Sequence, residues 1–162
     1  MRETSTAYVA LGSNLDDPRA QVERGFEAID DLPHTSLHAR SRLYRTRPWG
    51  IAGQPDFVNA VARVETSLSP RDLLDSLLAI EIRAGRVRGP RNGPRTLDLD
   101  LLLYGEAELE EPGLTIPHPR LQERAFVLLP LADVANDLEV PGQGRVADLL
   151  ARVDTAGCVP LV

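Results

Sequence analysis

Short apolar or alternating segments of the chain predict β-strands, in which successive side chains point to opposite faces. The first is the apolar run Ala7–Gly12, which ends in a Gly-Ser-Asn turn, and Thr35–Thr46 and Phe57–Thr66 follow as alternating segments. The last of these alternates most regularly, with one face formed by Val58, Ala60, Ala62 and Val64 and the other by Phe57, Asn59, Val61 and Arg63. We expect a strand at each position.

Two other segments repeat their apolar residues at helical spacing. One helix is expected from Pro18 to about Asp30, with Asp17 as its N-cap. A second begins with Ser69 as N-cap and a proline at the first helical position, and Gly85 ends it.

A further strand, Thr96–Tyr104, completes the order β-α-β-β-α-β. This order is the split βαβ plan of ferredoxin-like sandwiches. The expected fold class is therefore α+β, a ferredoxin-like βαββαβ sandwich with a C-terminal extension. That extension, residues 106–162, is rich in proline and is expected to hold a helix near Val146–Val153.

The last predicted strand carries two acids, Asp98 and Asp100, among apolar residues. Alternation places both on one face, about 7 Å apart at Cα, and the opposite face is formed by Leu97, Leu99, Leu101 and Leu103. Two neighbouring carboxylates repel each other, so a bound cation would stabilise the pair, and oxygen ligands of this kind suit Mg²⁺. The alternative is that both acids face solvent on an open sheet, and the strand alone does not exclude it.

An arginine-rich loop precedes the two acids. The arginines around it are Arg83, Arg86, Arg88, Arg91 and Arg95. Guanidinium groups match phosphate oxygens in bidentate geometry, so the loop and the acid pair together favour a site for a metal-bound nucleotide. A solvated charged turn is the plainer interpretation of the arginines.

Composition narrows the possible functions. All 18 basic residues among the 162 are arginine, so a Walker-type phosphate loop, which needs lysine, is excluded. The net charge of −6 argues against general nucleic-acid binding. No apolar run approaches the roughly 18 residues of a membrane span, and the N-terminus does not resemble a signal peptide. We expect a single cytoplasmic domain over residues 1–162 and no membrane partner.

Six segments, in order, resemble those of the 6-hydroxymethyl-7,8-dihydropterin pyrophosphokinase family of the folate pathway. The diagnostic one is "GPRTLDLDLLLYG", and the others are "AYVALGSNL", "LYRTRPWG", "QPDFVNAV", "GRVR" and "IPHPRLQERAFVLLPL". The resemblance implies a ferredoxin-like fold and transfer of a pyrophosphoryl group from ATP to the hydroxymethyl oxygen of the pterin. It also implies two Mg²⁺ ions and small-molecule substrates. Nothing in the sequence marks an obligate interface, so we expect a monomer.

The resemblance assigns roles to residues that match the family's motifs. Asp98 and Asp100 match the ligands of the two Mg²⁺ ions. The expected catalytic residues are Arg86, Arg88, Arg95 and Asp100. The proton acceptor is left open between Asp100 and a metal-bound hydroxide. The expected nucleotide-binding residues are Leu74, Glu81, Arg86, Arg88, Arg95, Leu101, Thr115, His118 and Arg124. The expected pterin-binding residues are Thr46, Pro48, Trp49, Phe57, Asn59 and Phe126.

The chain departs from the pattern at two positions. Asn92 stands where some members have a tryptophan, in a loop that is about one residue shorter than theirs, and Gly113 stands where some have an arginine.

Two other functions are compatible with parts of the sequence. A nucleotide-sugar transferase also uses a D-x-D metal site but is usually much longer. A non-catalytic ferredoxin-like ligand-binding module would not need two convergent acids beside an arginine loop.

Overall fold

The structure, a computed structural model, describes residues 3–47, 55–85 and 96–161. The strands are β1 Ser5–Ser13, β2 Thr35–Arg40, β3 Tyr44–Thr46, β4 Phe57–Thr66, β5 Asp98–Tyr104, β6 Leu109–Glu111, β7 Leu114–Ile116, β8 Glu139–Val140, β9 Gly144–Arg145 and β10 Cys158–Pro160. The helices are α1 Pro18–Asp30, α2 Pro70–Arg83, a 3₁₀ turn Leu121–Glu123, α3 Ala125–Ala135 and α4 Val146–Leu150.

The main sheet is antiparallel and runs in the order β10-β3-β4-β1-β5, with β2 also paired to β4. β2 and β3 both lie along β4 and together occupy the position of one ferredoxin-like strand. With that substitution the order is the one expected for a βαββαβ sandwich, so the predicted fold class is confirmed. β10 comes from the C-terminal extension and adds a strand beside β3.

A hydrophobic core lies on each face of the sheet. The first core packs α1 and α2 against the sheet through residues that include Phe26, Leu73, Leu77, Leu99 and Leu101. The second packs α3 and α4 against the opposite face through residues that include Tyr8, Val61, Leu128, Leu131 and Val146. The C-terminal extension therefore supplies the helices that cover the second face. In the part of the chain that the structure describes, no helix is long and apolar enough to cross a membrane.

The predicted starts of α1 and α2 are confirmed. The Asp17 carboxylate accepts the backbone N–H of Ala20, and Ser69 Oγ accepts the backbone N–H of Asp72. Both helices carry proline in the first turn, where the missing N–H costs no hydrogen bond. Local sequence thus determines where these two helices begin.

Three predictions need correction. Thr35–Thr46 is two strands rather than one, because the chain leaves the strand conformation at residues 41–43. Leu103 does not share a face with Leu97, Leu99 and Leu101. A bulge in the pairing of β1 with β5 adds a residue there, so Leu103 lies in the second core. The helix expected near Val146–Val153 ends at Leu150, and α3 was not predicted.

Candidate active site

A cavity of about 610 Å³ opens beside β1, β4 and β5. Its floor includes Ala10 and Gly12 of β1, whose small size leaves room above the sheet. Twelve of the residues that the sequence predicts for the site line this one cavity: Thr46, Phe57, Asn59, Leu74, Glu81, Asp98, Asp100, Leu101, Thr115, His118, Arg124 and Phe126. The remaining five, Pro48, Trp49, Arg86, Arg88 and Arg95, lie outside the described residues.

The two acids lie together on the floor of the cavity. Asp98 pairs across the sheet with Gly12, and Asp100 pairs with Ala10, so the two residues of β1 directly beside the acids are small. Both acids are partly exposed. Among residues 3–47, 55–85 and 96–161, no group of three or more histidines, cysteines and acids could hold a metal. A two-carboxylate site fits Mg²⁺, which usually takes one or two carboxylates and completes its shell with water and phosphate.

Arg124 contributes a positive charge near the acid pair. It directly precedes α3, and its guanidinium lies 5.5 Å from the centre of the Phe126 ring. Burial lowers the pKa of Arg124; the negative charge of Asp100 opposes this effect, and Arg120 adds to it. A partly buried cation beside two carboxylates can bind phosphate oxygens and balance the charge of the acids.

His118 is a neutral imidazole in this environment. Burial lowers its pKa to about 4, and the positive charges of Arg124 and Arg120 act in the same direction. The backbone N–H of Arg120 donates to Nδ1 of His118 at 3.2 Å, so the ring proton belongs on Nε2. The neutral ring can therefore donate one hydrogen bond to a ligand from Nε2.

Glu81 connects α2 to the edge of the sheet. Its side chain is almost fully buried, and Oε2 accepts the backbone N–H of Leu99 at 2.7 Å. Beside it, Leu74 and Leu78 of α2 and Leu101 of β5 give this part of the cavity an apolar lining. An apolar slot with a few fixed polar groups suits a flat heterocycle such as a nucleobase.

The opposite end of the cavity combines aromatic and amide groups. Thr46 Oγ1 donates to Asn59 Oδ1 at 2.6 Å, which fixes the orientation of the amide. Asn59 pairs across the sheet with Gly12, where an added Cβ would lie only 2.8 Å from Asn59 Nδ2. Phe57 and Phe126 also line the cavity. Glycine at position 12 thus leaves space for the amide.

Sequence reasoning missed several residues that line the cavity. They include Arg47, Leu78, Arg120 and Glu123. Arg120 and Glu123 form an ion pair at 3.3 Å. Arg47 stands in the "LYRTRPWG" segment, and Arg120 and Glu123 stand in "IPHPRLQERAF". For Arg47, Arg120 and Glu123, position in those segments was the only signal. A charged residue in a turn usually faces solvent, so it does not by itself indicate a site.

The cavity therefore joins two chemically different ends. One end holds the acid pair, Arg124 and the neutral His118, and can bind a metal-bound phosphate chain. The other end holds Phe57, Phe126 and the oriented amide of Asn59, and can bind a polar aromatic ring. A group could pass between two ligands that meet over the acids.

Comparison with known proteins identifies the family. A model of the 7,8-dihydro-6-hydroxymethylpterin-pyrophosphokinase family matches residues 8–136. This chain belongs to that family. A family member from Pseudomonas aeruginosa, named 2-amino-4-hydroxy-6-hydroxymethyldihydropteridine pyrophosphokinase, is 56% identical over 144 residues, 89% of each chain. A protein of the same name from Haemophilus influenzae is 48% identical over 145 residues, 90% of this chain and 91% of the relative.

Solved structures of Plasmodium falciparum HPPK-DHPS share the fold. The chain superposes on a Plasmodium falciparum HPPK-DHPS crystal structure with pteroate, with a TM-score of 0.74 at 13% identity. The match covers 94% of this chain and 43% of the solved chain, so this chain spans less than half of that protein. At this identity the comparison supports the fold alone.

Proposed function

We propose that the chain transfers the pyrophosphoryl group of ATP to the hydroxymethyl oxygen of 6-hydroxymethyl-7,8-dihydropterin in folate biosynthesis. The products are AMP and the pterin diphosphate. The observation that carries this proposal is the convergence of twelve expected site residues on one cavity with a phosphate-binding end and an aromatic end. Membership of the pyrophosphokinase family also supports it.

ATP binds, in this proposal, at the end of the cavity formed by α2, β5 and β7. The adenine lies among Leu74, Leu101 and Thr115, with Glu81 beside it, and the phosphates extend toward the acids. His118 and Arg124 bind phosphate or ribose oxygens, as a neutral donor and a cation respectively. Arg86, Arg88 and Arg95, which lie outside the described residues, are proposed to bind the triphosphate.

Asp98 and Asp100 are the proposed ligands of two Mg²⁺ ions. When bound, the ions would neutralise phosphate charge and fix the line of attack. The partly exposed carboxylates beside Ala10 and Gly12 leave space for water and phosphate oxygens to complete the metal shells. The chain needs no lysine for this arrangement.

The pterin is proposed to stack between Phe57 and Phe126 while Asn59 binds its polar edge. Thr46 supports this role because its hydroxyl holds the amide of Asn59 in one orientation. Pro48 and Trp49 are proposed to complete this end of the site. The pterin's hydroxymethyl group then points toward Asp98 and Asp100.

In the transfer step, the hydroxymethyl oxygen forms a bond to the β-phosphorus of ATP. The bond from that phosphorus to the bridging oxygen of the α-phosphate breaks, and AMP leaves with the electron pair. The hydroxymethyl proton is lost, with Asp100 as the candidate acceptor. The positive charge of Arg124 lies near the acid pair, where it can stabilise the phosphate oxygens during transfer.

At the level of the whole protein, we propose one domain spanning residues 1–162, a monomer, and a place in the cytoplasm. Its partners are ATP and the pterin, without nucleic acid. Sedimentation velocity at micromolar concentration tests the monomer: a species near 17.7 kDa is expected.

The deciding experiment mixes the protein with ATP, Mg²⁺ and the hydroxymethyl pterin, and separates nucleotides from the quenched reaction. We expect one AMP per pterin diphosphate, and a control without pterin should release none. Release of stoichiometric ADP instead of AMP would overturn the proposed pyrophosphokinase activity. Substituting a nucleotide sugar for ATP tests the transferase alternative, and Mg-ATP binding without any turnover would favour a non-catalytic module.

A further inference from the structure

A cluster of three polar side chains joins the C-terminal part of α3 to β3. Tyr44 is almost fully buried, and its hydroxyl donates to Oδ2 of Asp133 at 2.8 Å. Arg42 Nη2 donates to the Tyr44 hydroxyl at 3.0 Å, and the backbone N–H of Arg42 donates to Asp133 Oδ2 at 3.2 Å. We call Arg42, Tyr44 and Asp133 the α3–β3 clasp.

The hydrogen bond between Tyr44 and Asp133 is the central part of the α3–β3 clasp. Burial raises the pKa of Tyr44 to about 12, and the hydrogen bond to Asp133 contributes in the same direction, so the hydroxyl stays a donor at neutral pH. A hydrogen bond to a carboxylate is stronger than one between neutral groups. Arg42 is largely exposed, with 63% of its side chain accessible, so solvent screens the ion pair between Arg42 and Asp133.

The α3–β3 clasp lies directly behind the aromatic end of the cavity. Tyr44 pairs across the sheet with Asn59, and Thr46, two residues further along β3, donates to that same amide. Asp133 follows Phe126 by seven residues, roughly 10 Å along the same side of α3. The clasp therefore links the strand pair that carries Asn59 to the helix that carries Phe126.

We infer that Tyr44 and Asp133 are positioning residues for the pterin end of the cavity. Their hydrogen bond holds α3 at a fixed distance from β3 and β4, and so sets the width of the slot between Phe126 and Phe57. Neither residue lines the cavity, so both act through others. This inference rests on the proposed function, because the slot matters only if a flat ring binds there.

The test measures two affinities in the same variant, since a purely structural role would not separate them. In Tyr44→Phe, the Kd of the hydroxymethyl pterin, measured with a non-hydrolysable ATP analogue and Mg²⁺, should rise about threefold to tenfold, the factor that one net hydrogen bond is worth. The Kd of Mg-ATP alone should stay at the wild-type value. An unchanged pterin Kd in a folded variant would overturn the inference.

Tyr8→Phe is the matched control. Tyr8 is also buried, in the second core, but lies on β1 four residues before Gly12, and it pairs across the sheet with Arg63 rather than with Asn59. It should lower the melting temperature without changing the pterin Kd. If Tyr8→Phe weakened pterin binding as much as Tyr44→Phe, the effect would be general loss of stability and the inference would fail.

Two Asp133 variants provide a second line of evidence. Asp133→Asn keeps an oxygen that can accept from Tyr44, so it should weaken pterin binding less than Asp133→Ala. The double variant Tyr44→Phe with Asp133→Ala should bind pterin no worse than Asp133→Ala alone, because both changes remove one interaction. Additive losses would contradict a shared role. Failure of the wild-type protein to bind pterin would instead refute the proposed function.

Discussion

At the scale of single residues, the main question is why β5 carries two carboxylates. Their neighbours give the answer, because Ala10 and Gly12 leave open space beside the acids, and Arg124 supplies a nearby positive charge. The space suits a cation with its water and phosphate ligands. This arrangement supports the metal-binding role proposed for Asp98 and Asp100.

Removing either charge should abolish activity and spare the fold. In Asp98→Asn or Asp100→Asn we expect kcat to fall by about 100-fold or more, the size of effect seen when one electrostatic group acting on the transition state is lost. The melting temperature without ligand should not fall, since acid–acid repulsion is relieved. Asp75→Asn, which changes an exposed acid on α2, is the control. Wild-type turnover in either site variant would refute the metal assignment.

His118 should make stability depend on pH. Its pKa is about 4 in the folded chain against an ordinary value of 6.5, so between these values the unfolded chain binds more protons at this site. The free energy of unfolding should therefore decrease as the pH falls from 6.5 toward 4. Urea unfolding at several pH values should show a shallower decrease in His118→Gln. An identical slope in the variant and wild type would mean that His118 is not the group responsible.

At the scale of elements, sequence patterns correctly predicted the helices and strands that are determined by nearby residues. They failed for the features that depend on tertiary packing. The N-caps of α1 and α2 and the alternation of β4 could be predicted because each depends only on residues close together in the sequence. α3 was missed because it is apolar around most of its circumference, contains Pro130, and has no side-chain cap. It is helical because the second core buries it. The bulge in β5 depends on its pairing with β1, which the sequence of β5 alone does not specify.

The residues of the candidate site divide in the same way, into those that local sequence predicts and those that tertiary structure brings together. Alternation predicted that Asp98 and Asp100 share one face of their strand and that Phe57 and Asn59 share one face of theirs. The resemblance supplied the roles, and the pairing of β1 with β4 and β5 brings the two sets together. Arg47 and Glu123 carried no pattern of their own, because what brings them to the cavity is the path of the chain after β3 and before α3.

The pairing of β1 with β4 gives a prediction for Gly12. In Gly12→Ala the new Cβ would displace the amide of Asn59, which is the end of a side chain and can move, so the fold should survive. We expect pterin affinity to fall about tenfold or more, as when a buried hydrogen-bonding edge is misplaced, while Mg-ATP affinity is kept. Gly157→Ala is the control, since an added Cβ there meets nothing within 4 Å. An unchanged Kd for the pterin would show that Asn59 does not bind the polar edge of the pterin.

At the scale of the whole molecule, the two cores share their strands. β4 contributes Val58 and Ala60 to the first core and Val61 to the second. Loss of either core would expose one face of the same sheet. We therefore expect the two cores to fold and unfold together as one domain.

Calorimetry tests this expectation. The wild-type chain should unfold in one transition whose calorimetric and van't Hoff enthalpies agree. Leu128→Ala, a change confined to the second core, should cost about 2–5 kcal/mol and still give one transition. Two separate transitions would show that the C-terminal helices form an independent unit.

The position of β5 at the end of the sheet has a consequence for the behaviour of the protein in concentrated solution. An outer strand offers unpaired backbone groups to which a strand of another molecule can add. Here Glu81 occupies the N–H of Leu99, and the backbone N–H of His118 occupies the carbonyl of Leu102. Two residues proposed to bind the nucleotide thus also occupy backbone groups at this edge, and we expect these hydrogen bonds to limit the pairing of β5 with another molecule. When concentrated, Glu81→Ala should scatter light and Glu81→Gln should not, because glutamine can still accept the N–H of Leu99. One side chain would then serve both solubility and the proposed nucleotide site.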